Sequence, residues 1–221
     1  MLEPGESAPA VTLLQLDGGA EFHEAAKGPH VLAFLEADCP TCRLTVPYLS
    51  RLAEALGADK GRLLLVSQDG LEETQALIHS YGVTFPVMLD ADLNASTAFD
   101  PPSVPAFFLV EGDGTIGRAH VGFHKEELNA TASELLFSLG LMAQPIAQLD
   151  DSAPFSKPGC ASRHLEPVVN MDDVEHQPID LRPERGARAS HIVIGDDVDP
   201  YEYCMSEGFS PFLPVVPPTV D

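Results

Sequence analysis

The feature that most constrains this chain is an apolar run that leads into two closely spaced cysteines. Val31-Leu32-Ala33-Phe34-Leu35 carries no polar side chain. A run of that length without alternation reads as a strand buried on both faces. Cys39-Pro40-Thr41-Cys42 follows after three residues. Leu44, Tyr48, Leu49, Leu52, Ala53 and Leu56 then recur at spacings of three and four. Such spacing marks one face of a helix, and Gly57 is suited to stop it. The cysteine pair therefore sits where a buried strand turns into a helix.

The pattern continues downstream. Arg62–Ser67 holds a second buried strand, and Leu71, Thr74, Leu77, Ile78 and Tyr81 predict a second helix ended near Gly82. Phe85–Leu89 and Ala106–Val110 read as further strands, with a short helix around Leu93–Phe99 between them. Gly112-Asp113-Gly114 is a hairpin signal, and Thr115–Gly122 returns as the partner strand. Leu128, Leu135, Leu136 and Leu139 mark a last helix. At the start, Val11–Leu16 closed by Asp17-Gly18-Gly19 looks like an added hairpin. Strands alternating with helices imply an α/β fold with a mostly parallel central sheet, mixed at its end and flanked by helices.

From Gln144 the texture changes. Eleven prolines fall in residues 144–221, and periodicity nearly vanishes. The expected domains are therefore 1–143, a folded α/β domain, and 144–221, an extended proline- and acid-rich arm with little regular structure. Within the arm only Ala189–Ile194 reads clearly as a strand, with a helix at Pro200–Glu207 the next reading. The arm is expected to wrap the first domain or a partner, which gives a route to a homodimer.

Two thiols separated by two residues at a helix start suit thiol–disulfide exchange, which needs an attacking thiolate and a resolving thiol. Pro40 suits the first helical position, where its missing N–H costs nothing. The helix N-terminus favours thiolate at Cys39. Cys42, inside the first turn, is expected to be the more buried resolver. Val104-Pro105 lies just before the strand 106–110 and predicts a cis peptide bond beside the cysteines. The Val104 backbone is then free to pair with an extended substrate chain.

These residues together resemble the thioredoxin superfamily. Residues 5–139 are similar to the TlpA-like disulfide reductases and the related AhpC/TSA peroxide-reductase branch. The resemblance rests on the strand–CPTC–helix layout, Pro47, Val104-Pro105, Gly5-Glu6-Ser7-Ala8-Pro9, Leu16-Asp17-Gly18 and Phe85-Pro86-Val87-Met88-Leu89-Asp90. It implies a thioredoxin-like fold and thiol–disulfide oxidoreductase activity. It also implies Cys39 as nucleophile, Cys42 as resolver, Pro105 as the cis proline, and no cofactor. Antioxidant activity belongs to the peroxide-reductase side of the resemblance. The implied partners are a disulfide substrate, protein or small thiol, and an external thiol electron donor.

Several positions depart from that family. Asp38 stands where a Trp is common, and the chain has no tryptophan. A carboxylate there is expected to raise the Cys39 pKa, with Arg43 as an offset. Ala33 stands where thioredoxin has a buried Asp, and Thr45 where some TlpA-like members have Glu. The proton-shuttling carboxylate is missing unless Glu36 or Asp38 takes its place. The Pro, Thr, Cys order of peroxiredoxins is absent around Cys39, which argues against a dedicated peroxidase.

Lys157, Arg163 and His164 surround Cys160 in an otherwise acidic chain. That charge is expected to lower the Cys160 pKa and marks Cys160 as a redox relay or tether for the Cys39–Cys42 pair. A spectator thiol in a loop is the plainer alternative. Cys204, among apolar residues, reads as a buried structural cysteine. A zinc site from Cys39, Cys42, Cys160 and His164 is conceivable, but one CxxC at a strand–helix junction fits redox chemistry better. No metal is expected.

Composition narrows the remaining functions. The net charge of −22 repels nucleic acid and anionic membranes. No stretch has the ~18 apolar residues of a membrane span. Met1–Glu6 lacks a basic start and an apolar core, so the expected location is cytoplasmic. Four cysteines are too few for a disulfide-stapled fold. A redox-gated binding module and a peroxide reductase remain as alternatives to the disulfide exchanger.

Overall fold

The structure, a computed structural model, describes residues 1–23 and 28–165. The chain divides into two compact units, Met1–Val168 and Val169–Asp221, and all the described residues lie in the first. The expected strand at 189–194, the expected helix at 200–207 and Cys204 fall outside the described residues.

A hairpin opens the chain, formed by β1 (Val11–Gln15) and β2 (Ala20–His23). Next come β3 (His30–Leu35), α1 (Pro40–Leu56), β4 (Leu63–Ser67), α2 (Leu71–Tyr81) and β5 (Val87–Leu89). The short α3 (Asn94–Phe99) leads to β6 (Ser103–Val104), β7 (Ala106–Val110), β8 (Ile116–Val121), β9 (Phe123–His124) and α4 (Lys125–Ser138). Two short strands close the described chain, β10 (Ser156–Lys157) and β11 (Cys160–Ala161).

Seven strands form the central sheet in the order β2-β1-β5-β4-β3-β7-β8. Among the hydrogen-bonded pairs of this sheet, β3–β4 and β4–β5 are parallel. The other pairs are antiparallel, so the sheet is mixed rather than mostly parallel. The reason lies in the connections. The helices α1 and α2 are long enough to carry the chain back along a strand. The six residues of α3 rise only about 9 Å, so the chain enters β7 from the opposite end.

All six residues of β3 are buried, as its apolar run requires. It lies between β4 and β7, with Val31 opposite Leu63 on one side and Leu109 on the other. Phe34, Phe99 and Phe108 meet there with ring centroids 5.0–5.6 Å apart. Asp90, at the end of β5, accepts the backbone N–H groups of Ala95 and Ser96 and the Ser96 hydroxyl, which anchors α3 under the sheet. Burial holds the Asp90 carboxyl above its usual pKa.

The expected boundary at 143 does not mark where packing stops. Ile146 and Ala147 are buried, and both of their N–H groups donate to the Asn129 side chain on α4. Asp151 meets the buried ammonium of Lys125 and accepts the Tyr48 hydroxyl from α1. Residues 144–165 are mostly irregular, yet they supply partners for polar groups that the domain would otherwise bury unpaired.

Candidate active site

Cys39 is the N-cap of α1, with extended backbone at φ −71°, ψ 118°, and Pro40 opens the helix. Its Sγ accepts the Cys42 backbone N–H at 3.4 Å, the place a Ser or Asp oxygen takes in other helices. Cys42 is wholly buried within the first turn, and its own sulfur accepts the Glu36 N–H at 3.4 Å. Both thiols are free.

The Cys39 pKa is pulled down to about 5, first because the Cys42 thiol donates to it, and further by donation from Cys160. Burial raises the Cys42 pKa, and its hydrogen bond to Cys39 raises it further. The two sulfurs are thus shifted in opposite directions, Cys39 towards thiolate and Cys42 towards thiol. The expected rise of the Cys39 pKa from Asp38 does not occur. The Asp38 side chain is 81% exposed and its carboxylate is held by Arg43 at 3.3 Å. Water and a guanidinium blunt its field before it reaches the sulfur.

Of the two carboxylates expected to substitute for the missing proton acceptor, only Glu36 lies inside. Desolvation by burial lifts its pKa to about 7, with Arg163 opposing and Asp69 and Cys39 adding to the rise. Its Oε1 is buried without a hydrogen-bond partner.

Asp69 is a residue that sequence reading missed. It is fully buried just past β4, accepts the Ala37 N–H at 2.6 Å, and pairs with the Arg163 guanidinium at 2.6 Å. It thereby fixes the loop between β3 and Cys39. Its signal was available, because Gln68-Asp69-Gly70 follows a parallel strand at its carboxyl end, where α/β sites gather. The neighbouring Gln68 donates to Ser96 and Ser162.

The Val104–Pro105 peptide bond is cis, and the Cys39 thiol lies 3.6 Å from the Val104 carbonyl oxygen, its acceptor. The Val104 carbonyl therefore stands beside the Cys39 sulfur. Their edge is not vacant. In β11, Cys160 pairs antiparallel with Val104 and Ala161 with Ser103. The approach is fixed at several points. Thr41 donates to the Pro158 carbonyl at 2.7 Å, β10 pairs with β9, and Arg163 reaches Asp69. A Cβ on Gly159 would come within 2.2 Å of the Val104 oxygen, so only glycine passes here.

Cys160 does not have the lowered pKa expected from its basic neighbours. It is raised to about 11, first because its thiol donates to Cys39. Arg163 spends its charge on Asp69 and Glu36 instead. His164 turns away from the thiols, towards Ser162 and Asp100. Among the described residues no group of three or more His, Cys, Asp or Glu is arranged to hold a metal ion. His120, one of the scattered histidines, stacks on Phe107 and meets Thr131, and burial lowers its pKa to about 3.

A family model described as AhpC/TSA matches residues 4–119, just over half the chain. The thiol-disulfide oxidoreductase ResA of Halalkalibacterium halodurans is 27% identical over 134 residues, 60% of this chain and 76% of that protein. The sporulation thiol-disulfide oxidoreductase A of Bacillus subtilis is 25% identical, over 54% of this chain and 76% of that protein. Among solved structures, the thioredoxin domain of a thiol-disulfide oxidoreductase from Bacteroides vulgatus is similar with a TM-score of 0.53 and 24% identity. The match covers 61% of this chain and 98% of that one. At that identity the likeness speaks for the thioredoxin fold.

Proposed function

The chain belongs to the AhpC/TSA family of the thioredoxin superfamily and is a thiol–disulfide oxidoreductase, and we propose that Cys39 is its attacking thiol and Cys42 its resolving thiol. The observation that carries this reading is the opposed state of two adjacent sulfurs. Cys39 sits at the helix start with a pKa near 5, and Cys42 lies buried behind it with a raised one. A thiolate attacks, and a protonated partner waits.

The steps balance on this chain's own groups. The Cys39 thiolate attacks one sulfur of a client disulfide, and the other client sulfur leaves as thiolate. Cys42 then gives its proton to the Glu36 carboxylate and attacks Cys39 Sγ. The second client thiolate departs, and the Cys39–Cys42 disulfide remains. An external thiol donor restores the dithiol. Glu36 suits the proton transfer because its pKa near 7 matches a neutral medium. Clients bind as an added strand on the Ser103-Val104 edge, where backbone pairing tolerates many sequences.

Reduction of insulin with a dithiol donor tests the reading. Wild type is expected to accelerate precipitation of the insulin B chain. Cys39→Ser is expected to lose at least about 10³-fold, the scale of removing an attacking nucleophile. No acceleration by wild type, or full activity in Cys39→Ser, overturns it.

A further inference from the structure

Residues 156–162 are bound where a client strand would lie. The segment runs along the cysteines, pairing with β9 and then with β6. The register puts Cys160 opposite Val104, whose carbonyl oxygen is 3.6 Å from Cys39 Sγ. Beyond the thiol, the Ser162 N–H reaches the Pro102 carbonyl, its hydroxyl accepts from Gln68, and Arg163 is locked onto Asp69. Cys39 is only 2% exposed beneath this cover.

We propose that the 156–162 segment is a built-in substrate strand, and that Cys160 is a third redox thiol that closes a Cys39–Cys160 disulfide and shuts the site against clients. The inference rests on the exchange reaction above, which supplies the starting disulfide. In the oxidised enzyme the Cys160 thiol gives up its proton to Glu36, and its sulfur attacks Cys39 Sγ. The Cys39–Cys42 bond breaks and Cys42 leaves as thiolate, which takes the proton back. One disulfide forms as one breaks, so no further oxidant is consumed. A dithiol donor reopens the site: one of its thiolates attacks Cys39 Sγ and Cys160 leaves as thiolate, then the donor's second thiol closes the donor's own disulfide and frees Cys39.

Three features argue for a substrate mimic rather than a casual cover. The strand is antiparallel to β6 over both of its residues. Its register sets Cys160 opposite Val104, the residue whose carbonyl lies beside the attacking sulfur. The Gly159 backbone approaches Val104 more closely than any side chain would allow. The Pro158 carbonyl also engages Thr41, which lies between the two cysteines.

The test uses the full chain carrying Cys42→Ser, so that a disulfide on Cys39 cannot be resolved by Cys42. After oxidation with one equivalent of glutathione disulfide, peptide mapping is expected to find Cys39 joined to Cys160. Cys39 joined to glutathione or to Cys204, with Cys160 free, overturns the proposal. Gly159→Val on the wild-type thiols is the second arm. Its side chain expels the strand, so alkylation of Cys39 by iodoacetamide is expected to rise at least about tenfold, corresponding to a 1.4 kcal/mol shift in docking. An unchanged alkylation rate overturns the strand's role as a cover. Insulin reduction by Cys160→Ser separates the two readings. Turnover in that variant without a Cys39–Cys160 link in Cys42→Ser ends the third-thiol proposal and leaves the Cys39–Cys42 exchanger standing. No turnover in wild type, Gly159→Val or Cys160→Ser ends both.

Discussion

Glu36 and Asp38 are two residues apart, yet one is buried and the other bathed in water. The folded pKa of Glu36, near 7, lies above its ordinary value of 4.5. Between those values the folded chain holds the proton that the unfolded chain releases. Stability from that proton is fully present below about pH 4.5 and is lost as pH rises through 7. Cys39, with its lowered pKa, pushes stability the other way over the same range, so the Glu36 effect is read by difference: Glu36→Gln is expected to match the wild-type urea midpoint near pH 4 and to exceed it near pH 7. The difference amounts to about 1–2 kcal/mol after discounting for solvent screening. In kinetics, Glu36→Gln is expected to slow release of the mixed disulfide while sparing the first attack, which stopped-flow mixing with a chromogenic disulfide separates. Asp38→Asn is expected to shift Cys39 alkylation by less than about twofold, because Arg43 and water already screen that charge. The cysteines and Val104-Pro105 were legible from residue type and spacing. The fates of Asp38 and Glu36 were not, since a linear pattern does not say which face of a three-residue loop turns inward. Asp69 decides that by holding the Ala37 N–H.

At the scale of elements, β3, β4 and β7 and the helices α1, α2 and α4 follow from apolar runs and three-to-four spacing. The short strands did not announce themselves. Two-residue pairs such as β6 with β11 have no period to read, and their partners are 56 and 58 residues apart in sequence. Gly122 shows how such pairing is held. Its φ is +75°, and an added Cβ would lie 3.0 Å from the Lys157 carbonyl. Gly122→Ala therefore costs left-handed backbone strain of about 1–2 kcal/mol and presses on β10. Trypsin is expected to cut after Arg163 faster in that variant than in wild type, and an equal rate would count against this account. In the core, Phe108→Ala removes the ring that touches both Phe34 and Phe99. A loss of about 3–5 kcal/mol in urea unfolding is expected.

At the scale of the molecule, composition suggested a break at 143, because proline and acid replace periodicity there. Packing ignores that change. Lys125 sits at the start of α4 with its ammonium almost wholly enclosed, and Asp151 answers it from the proline-rich segment. Asn129 likewise spends its amide on Ile146 and Ala147. A chain ending at 143 would leave a buried cation without its carboxylate, which costs more than the pair contributes. Such a truncation is expected to unfold at clearly lower urea than the full chain, and Lys125→Met to recover part of the loss. Equal midpoints for both lengths would show that residues 144–165 are ornament to the fold.

The missing side chain at Gly159 also acts as a ruler. A strand that slides by one residue turns every side chain to the opposite face, and one that slides by two moves its thiol about 7 Å. Here neither slip is tolerated, because the residue beside the Val104 oxygen must have no Cβ and Pro158 precedes it. The sulfur of Cys160 thus arrives in a single phase. An extra residue inserted between 159 and 160 would carry the thiol out of reach.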